Sequence, residues 1–285
     1  MNRRTIGILH PGDMGAAVAA TACNAGHGVY WASEGRSAET LMRATAAGLL
    51  DAGSIARICE RCEVVVSVCP PEFAGEMARS VAGLGFRGLY LDLNAVSPRR
   101  SVRIGRDLEE RGIRFVDGSI IGLPAKKRAE TWIYLCGPHA EEAAACFGQG
   151  PLEVEVLAGE IGKASALKMV FAANTKGMAA LRAAVLGAAR ELGVMDDLER
   201  QWARSGTPMA RAVESLQHVA PKAWRFVAEM REIAETFEST GMPGDFHRAA
   251  EDIFARLAPF QGKREIRLEE VLEKLAARAI TKSDS

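Results

Sequence analysis

The chain lacks a surplus of charge: across 285 residues, 36 Lys and Arg balance 36 Asp and Glu. A nucleic-acid-binding surface commonly leaves a basic excess, and none exists here, so no nucleic-acid partner is expected. It lacks any run of the ~18 apolar residues that a membrane helix requires. No 7–15-residue apolar stretch precedes the strand-like segment Thr5 to Leu9, so neither a secretory leader nor membrane attachment is expected. Cysteine is sparse, at 23, 59, 62, 69, 136 and 146, too scattered for a disulfide framework. That usage implies a reducing, cytoplasmic setting. Cys59 and Cys62 form one C-x-x-C, but no second pair or H-x-x-x-H completes a zinc site, so no metal is expected. They read as small apolar residues at a helix end before Val64-Val65-Val66. There is no internal repeat and no low-complexity linker.

What is present is an ordinary globular composition, 48% hydrophobic and 25% charged. It excludes a disordered chain, a collagen and a coiled coil. At roughly 100–200 residues per domain, the length suggests one large or two medium domains. Short apolar runs recur at Ile6–Leu9, Val29–Ala32, Val64–Cys69, Gly88–Leu93, Arg114–Val116, Trp132–Cys136 and Val154–Leu157. Helix-like segments, Gly12–Ala25, Ser37–Ala47, Pro71–Ala82 and Ser97–Arg111, separate most of them. Continuous apolar strands between helices predict a parallel sheet covered on both faces, the doubly wound arrangement. Near residue 160 the pattern changes. An alanine-rich helix of ~30 residues, or ~45 Å at 1.5 Å per residue, is expected from Ala164 to about Gly193. The rest, to Ala279, reads as helical, with Thr281–Ser285 frayed. The expected division is therefore an α/β domain over 1–160 and an all-α domain over 161–285.

The first strand runs into His10-Pro11-Gly12-Asp13-Met14-Gly15. A dinucleotide fold places G-x-G-x-x-G at this point, for a tight turn, a close approach to pyrophosphate and close helix packing. Gly12 and Gly15 supply the second and third glycines, and His10 stands at the first. The helix N-terminus behind them would hold pyrophosphate through backbone N–H groups. At the end of the second strand, Ser33 falls where an acid would bind the ribose of NAD. Arg36, between Ser33 and Ser37, suits a 2′-phosphate, whereas Glu34 would serve a bare ribose. NADP is the expected cofactor, with NAD as the alternative.

Five motifs in order resemble the β-hydroxyacid dehydrogenase family, which includes 3-hydroxyisobutyrate and 6-phosphogluconate dehydrogenases. The glycine loop with Met14-Gly15 is followed by Val68-Cys69-Pro70-Pro71, similar to the family's strand end beside the nicotinamide ribose. Then come Asp92-Leu93-Asn94-Ala95-Val96-Ser97-Pro98 and Asp117-Gly118-Ser119-Ile120-Ile121-Gly122. Finally, Gly159-Glu160-Ile161-Gly162 precedes Lys168, similar to the segment that carries the family's catalytic lysine. The likeness is greatest to a phosphogluconate dehydrogenase-like subgroup, and the Asp-Gly-Ser-Ile-Ile run also resembles imine reductases. It implies a Rossmann-type domain followed by a helical domain joined by a long helix. It also implies cofactor contacts at His10, Pro11, Gly12, Asp13, Met14, Gly15, Ser33, Arg36, Cys69, Pro70 and Asn94. The departures fall at substrate positions. Ile121 replaces a serine, and Phe171 and Ala172 replace asparagines.

Hydride transfer needs a proton exchanger, and Lys168, in an otherwise apolar helical stretch, is the candidate general acid and base. Phe171, Ala172 and Thr175 share its helix face. With Ser119 and Ile121 they are the expected substrate contacts and suit a partly apolar small molecule. Lys126-Lys127-Arg128 is a candidate anion clamp, though a solvated turn is the plainer reading. The expectation is an NADP-dependent oxidoreductase of a hydroxy acid or related carbonyl compound, cytoplasmic, and a homodimer through its helical half. The rivals are an imine or enamine reductase and a dinucleotide-binding protein without turnover.

Overall fold

The computed structural model describes residues 3–124, 129–148, 150–206, 208–263 and 265–276. Eight strands among them form one sheet: Thr5–Ile8 (β1), Gly28–Trp31 (β2), Leu50–Asp51 (β3), Val64–Ser67 (β4), Leu89–Asp92 (β5), Arg114–Gly122 (β6), Thr131–Cys136 (β7) and Glu153–Val156 (β8). Their spatial order is β3-β2-β1-β4-β5-β6-β7-β8. Asp13–Asn24 (α1), Ala38–Ala46 (α2), Ile55–Arg61 (α3), Ala74–Gly83 (α4), Pro98–Glu109 (α5) and Ala140–Ala144 (α6) connect them. From β1 the chain goes to β2 and β3 on one side, then crosses to β4 on the other. That reversal is the switch point at which doubly wound sheets bind ligands beyond the strands' carboxyl ends.

Alternating side chains explain why both sheet faces are covered. Val64, Val66, Leu89, Leu91 and Val116 join one buried cluster with Ile6, Ile8 and Trp31. Val65, Tyr90 and Phe115 join a second with Val81, Ile104 and Leu108. Local signals fix several helix starts. The Ser37 and Ser54 hydroxyls accept from the amides of Thr40 and Arg57, and Pro98 occupies the first turn of α5.

The parallel-sheet expectation holds from β3 through β6 and then needs correction. β6 does not stop at Val116 but continues to Gly122 and pairs antiparallel with β7, Asp117 opposite Cys136 and Gly122 opposite Thr131. The connection 123–130 is shorter than the dozen or so residues of a parallel crossover, so the chain doubles back. β3 also escaped the sequence reading, because two exposed strand residues carry little periodic signal, and of α3 only its end at Cys59 and Cys62 was read.

The chain divides into two compact units, 1–169 and 170–285. The division falls inside one long helix, Lys163–Glu191 (α7). The second unit continues with Met195–Arg204 (α8), Met209–Val219 (α9), Ala223–Ser239 (α10), Asp245–Leu257 (α11) and Leu268–Ala276 (α12). There Phe226 meets Phe254 edge-on at 5.3 Å, and Lys176 pairs with buried Glu229 at 2.9 Å. Among the described residues no helix is long and apolar enough to cross a membrane.

Candidate functional site

The glycine loop lies at the carboxyl end of β1, beside the switch point. Gly12 caps α1 without a side-chain hydrogen bond, and a Cβ placed on it would meet nothing within 4 Å. A Cβ on Gly15 would lie 2.1 Å from the His10 carbonyl oxygen, so only glycine lets the helix start this close to the strand. Pro11 is buried, Asp13 is exposed, and Met14 packs on the sheet core. The His10 imidazole is half-buried, with Nδ1 unpartnered among the described residues; burial and then the Arg36 charge push it down to about 4. It is therefore neutral at pH 7.

A turn follows β2. The Arg36 amide donates to the Ser33 carbonyl at 3.1 Å, and Gly35 takes φ +71°. Glu34 is exposed, while Arg36 returns to β1, its Nη2 donating to the Leu9 carbonyl at 3.2 Å. Its Nε is buried without a partner among the described residues. Sequence reasoning missed Arg43. From α2 it donates to the Pro11 carbonyl and pairs with Asp13 at 2.9 Å and Glu39 at 3.0 Å. It thereby offsets the one carboxylate in the first turn of α1. The i, i+4 spacing of Glu39 and Arg43 was the available signal, but it pointed only to a surface pair.

Next to the switch point, a buried polar row crosses the sheet. Ser67, Asp92, Asp117 and Cys136 are successive partners on β4, β5, β6 and β7, all at most 1% exposed. Asn94 ties two strand ends together. Its Oδ1 accepts the Cys69 amide at 2.6 Å, its Nδ2 donates to Ser67 Oγ at 3.0 Å, and its amide donates to Asp92 Oδ1 at 2.8 Å. The Asn94 side chain is buried, and its amide group is engaged in shaping the loop of Cys69 and exposed Pro70. Burial pushes the Asp92 carboxyl up to about 7, opposed by the Asn94 amide and aided by the charge of Asp117. Burial likewise raises the Cys69 thiol to about 12, which leaves it without nucleophilic character.

Asp117 fastens α7 to the sheet. Its Oδ2 accepts the amides of Gly162, Ala164 and Ser165, and its Oδ1 accepts the hydroxyls of Ser101 and Ser165. These satisfy donors that a helix start leaves open, with a carboxylate at the positive end of the helix. One turn on, half-buried Lys168 donates from Nζ to the Ile120 carbonyl at 2.8 Å.

The expected substrate residues are less uniform. Ser119 is 1% exposed, with Oγ unpartnered among the described residues, and Ile121 is 9% exposed. Phe171 is 46% exposed, but Ala172 is completely buried and offers no surface to a ligand. The Thr175 hydroxyl bonds back to the carbonyls of Phe171 and Ala172, so it is already engaged. Lys126, Lys127 and Arg128 lie outside the described residues. Cys59 and Cys62 lie at α3, their thiols raised by burial to about 11 and about 12.

Comparison with known proteins agrees with this geometry. The NAD binding domain of 6-phosphogluconate dehydrogenase matches residues 5–147, and a domain of unknown function matches 189–257. An uncharacterized 28.5 kDa protein of Methanothermus fervidus is 28% identical over 165 residues, 58% of this chain and 63% of that one. The chain thus spans less than two thirds of the length of this curated relative. A solved conserved protein of unknown function, described as structurally similar to 3-hydroxyacid dehydrogenases, is 27% identical with TM-score 0.65, over 96% of this chain and all of that one. Mycobacterium tuberculosis 3-hydroxyisobutyrate dehydrogenase shares the fold at 19% identity and TM-score 0.65, over 97% of this chain and 100% of that one. An imine reductase from Bacillus cereus does so at 16% and 0.52, over 95% and 98%. The chain belongs to the β-hydroxyacid dehydrogenase family, a family of NAD(P)-dependent oxidoreductases, and its first unit is the dinucleotide-binding domain of that family.

Proposed function

We propose that the chain is an NADP-dependent oxidoreductase that interconverts a partly apolar hydroxy acid, or a related alcohol, with its carbonyl compound, and that Lys168 is its general acid and base. The observation that supports this most is the hold on Lys168: its helix is anchored by Asp117 and its Nζ sits 2.8 Å from the Ile120 carbonyl, at the carboxyl half of β6. When bound, the nicotinamide supplies or accepts the hydride. Neutral Lys168 takes the hydroxyl proton as the carbon–hydrogen bond breaks, and its ammonium returns the proton in reduction.

The residues present fit a dinucleotide. Gly12 leaves open space before an α1 N-terminus that no side chain caps, which suits pyrophosphate. Among the described residues Arg36 Nε is a buried donor without a partner, which a 2′-phosphate would satisfy, and Ser33 begins the same turn. Exposed Glu34 leaves that position free of a buried opposing charge. Ile121 and Phe171 in place of polar groups favour a substrate with apolar substance near the reacting carbon. Six free cysteines suit a reducing, cytoplasmic setting. Exposed Leu181, Leu192 and Val194 suit a homodimer.

The deciding experiment follows NADPH absorbance with the full chain across hydroxy acids, aldehydes, ketones and cyclic imines. Carbonyl reduction or alcohol oxidation that depends on Lys168 supports the reading. Turnover of imines alone, indifferent to Lys168, would replace it with imine reduction.

A further inference from the structure

The helical unit 170–285 carries an open cleft of about 470 Å³, within the size range of small-molecule sites. Val170 and Met178 of α7, Phe237 of α10, and Met242 before α11 give it an apolar wall, and its polar groups are Asn174 and His247. Among the described residues no charged side chain lines it. His247 is 4% exposed, and Phe237 and Phe246 hold its ring edge-on, with centroids 4.4 Å and 5.3 Å away. Its Nδ1 is buried with no partner among the described residues, so no hydrogen bond there selects a tautomer. Burial lowers the imidazole's pKa, which keeps it neutral.

An imidazole nitrogen buried without a partner is costly, and covering the exposed apolar wall of Val170, Met178 and Met242 is favourable. None of the lining residues is among those assigned above to the dinucleotide or to the proton. We propose that this cleft is a binding site for a neutral, mostly apolar small molecule bearing one hydrogen-bonding group, a ketone or similar compound, which is oriented by His247. A carboxylate is disfavoured because no cation lines the wall to compensate its desolvation. The proposal stands independently of hydride transfer.

The full chain, labelled with ¹³C at its methionine methyls, tests this by NMR titration with 4-phenyl-2-butanone and with 3-phenylpropanoate, its anionic near-isostere. The ketone is expected to move the Met178 and Met242 signals saturably, and the acid to bind at least about tenfold more weakly. Val170→Trp fills the mouth from a position that is 58% exposed and should abolish the shifts. His247→Phe keeps the ring and should weaken the ketone by about threefold to tenfold, while leaving butylbenzene unchanged. Thermal melts check that both variants fold, and the contrast between ketone and acid in the unmodified chain decides the matter should they not. Absence of shifts up to the ketone's solubility, equal binding of the acid, or binding indifferent to folded Val170→Trp would overturn the proposal. So would shifts that follow protein concentration rather than ketone, since a second copy would then occupy the cleft.

Discussion

Ser165 meets Asp117 twice: its hydroxyl donates to Oδ1 at 2.6 Å and its amide to Oδ2 at 3.2 Å. Three residues later on the same helix, Lys168 meets Ile120, three residues after Asp117 on the same strand. Two rungs thus join α7 to β6, which limits how the helix can turn about its own axis. The first rung fixes where the helix begins, and the second fixes where the ammonium rests. In the role proposed for Lys168 a general acid must be held before it can act, and the hold comes from the buried carboxylate of Asp117.

Replacing Asp117 by asparagine tests that hold. The amide keeps one acceptor oxygen but turns an NH₂ toward donors, where Oδ2 now receives three backbone amides. The expected loss of stability is about 2–4 kcal/mol, larger than for a neutral hydrogen bond because the lost acceptor is charged and the donors stay buried. Urea unfolding of the full chain measures it. A midpoint within error of the unmodified chain would show that the helix start does not need the carboxylate.

Lys168→Ala is expected to leave NADPH affinity nearly intact and to lower turnover by roughly 10²–10⁴-fold, the usual share of proton transfer by a positioned side chain. Single-turnover kinetics with the best substrate from the panel separate the chemical step from binding. A decline of only a few-fold would mean that the reacting group needs no proton from this lysine.

Arg36→Ala is expected to remove most of the preference for NADPH over NADH. The loss should be about 1.5–3 kcal/mol, the value of a hydrogen bond to a charged group, while NADH binding changes little. Fluorescence titration with both nucleotides reads it directly. If the unmodified chain binds the two equally, Glu34 rather than Arg36 governs that end of the site.

Much of this was legible in the sequence, for identifiable reasons. Apolar runs alternating with helical spacing announced a sheet with both faces covered, and Gly12 with Gly15 marked the strand-to-helix turn. The antiparallel return of β7 was not legible, because direction is set by the length of a connection rather than by the strand's own residues. Within the site, helix spacing put Ala172 and Thr175 beside Lys168, but spacing could not say that the first is buried or that the second bonds to its own backbone. Asn94 has the same lesson: its neighbours Cys69 and Ser67 are 25 and 27 residues earlier, joined only because β4 lies beside β5. Arg43 was missed because its partners at Pro11 and Asp13 are brought to it by packing of α1 and α2.

The last prediction concerns pH and rests on Asp92, whose carboxyl is pushed up to about 7 from an ordinary 3.8. Burial is the main cause, and the facing carboxylate of Asp117 adds to it. The sign follows from proton counting. Between about pH 4 and pH 7 an unfolded chain has released this proton while the folded chain keeps it, so the folded state binds more protons. Stability from Asp92 is therefore fully present below about 4 and is lost as pH rises through 7, at up to about 1.4 kcal/mol per unit. Other titrating groups overlie this trend, so the quantity to measure is the difference between the unmodified chain and Asp92→Asn. An asparagine oxygen can still accept the Asn94 amide, now received by Oδ1 at 2.8 Å. Urea midpoints from pH 4 to 8 should show the unmodified chain losing ground to the variant up to about pH 7 and holding level above it. In an Asp117→Asn background the same difference should shift to lower pH, because the charge that helps to keep the proton on Asp92 has gone. A difference flat across the whole range would mean that Asp92 is ionised throughout, and the buried row would then hold two carboxylates side by side.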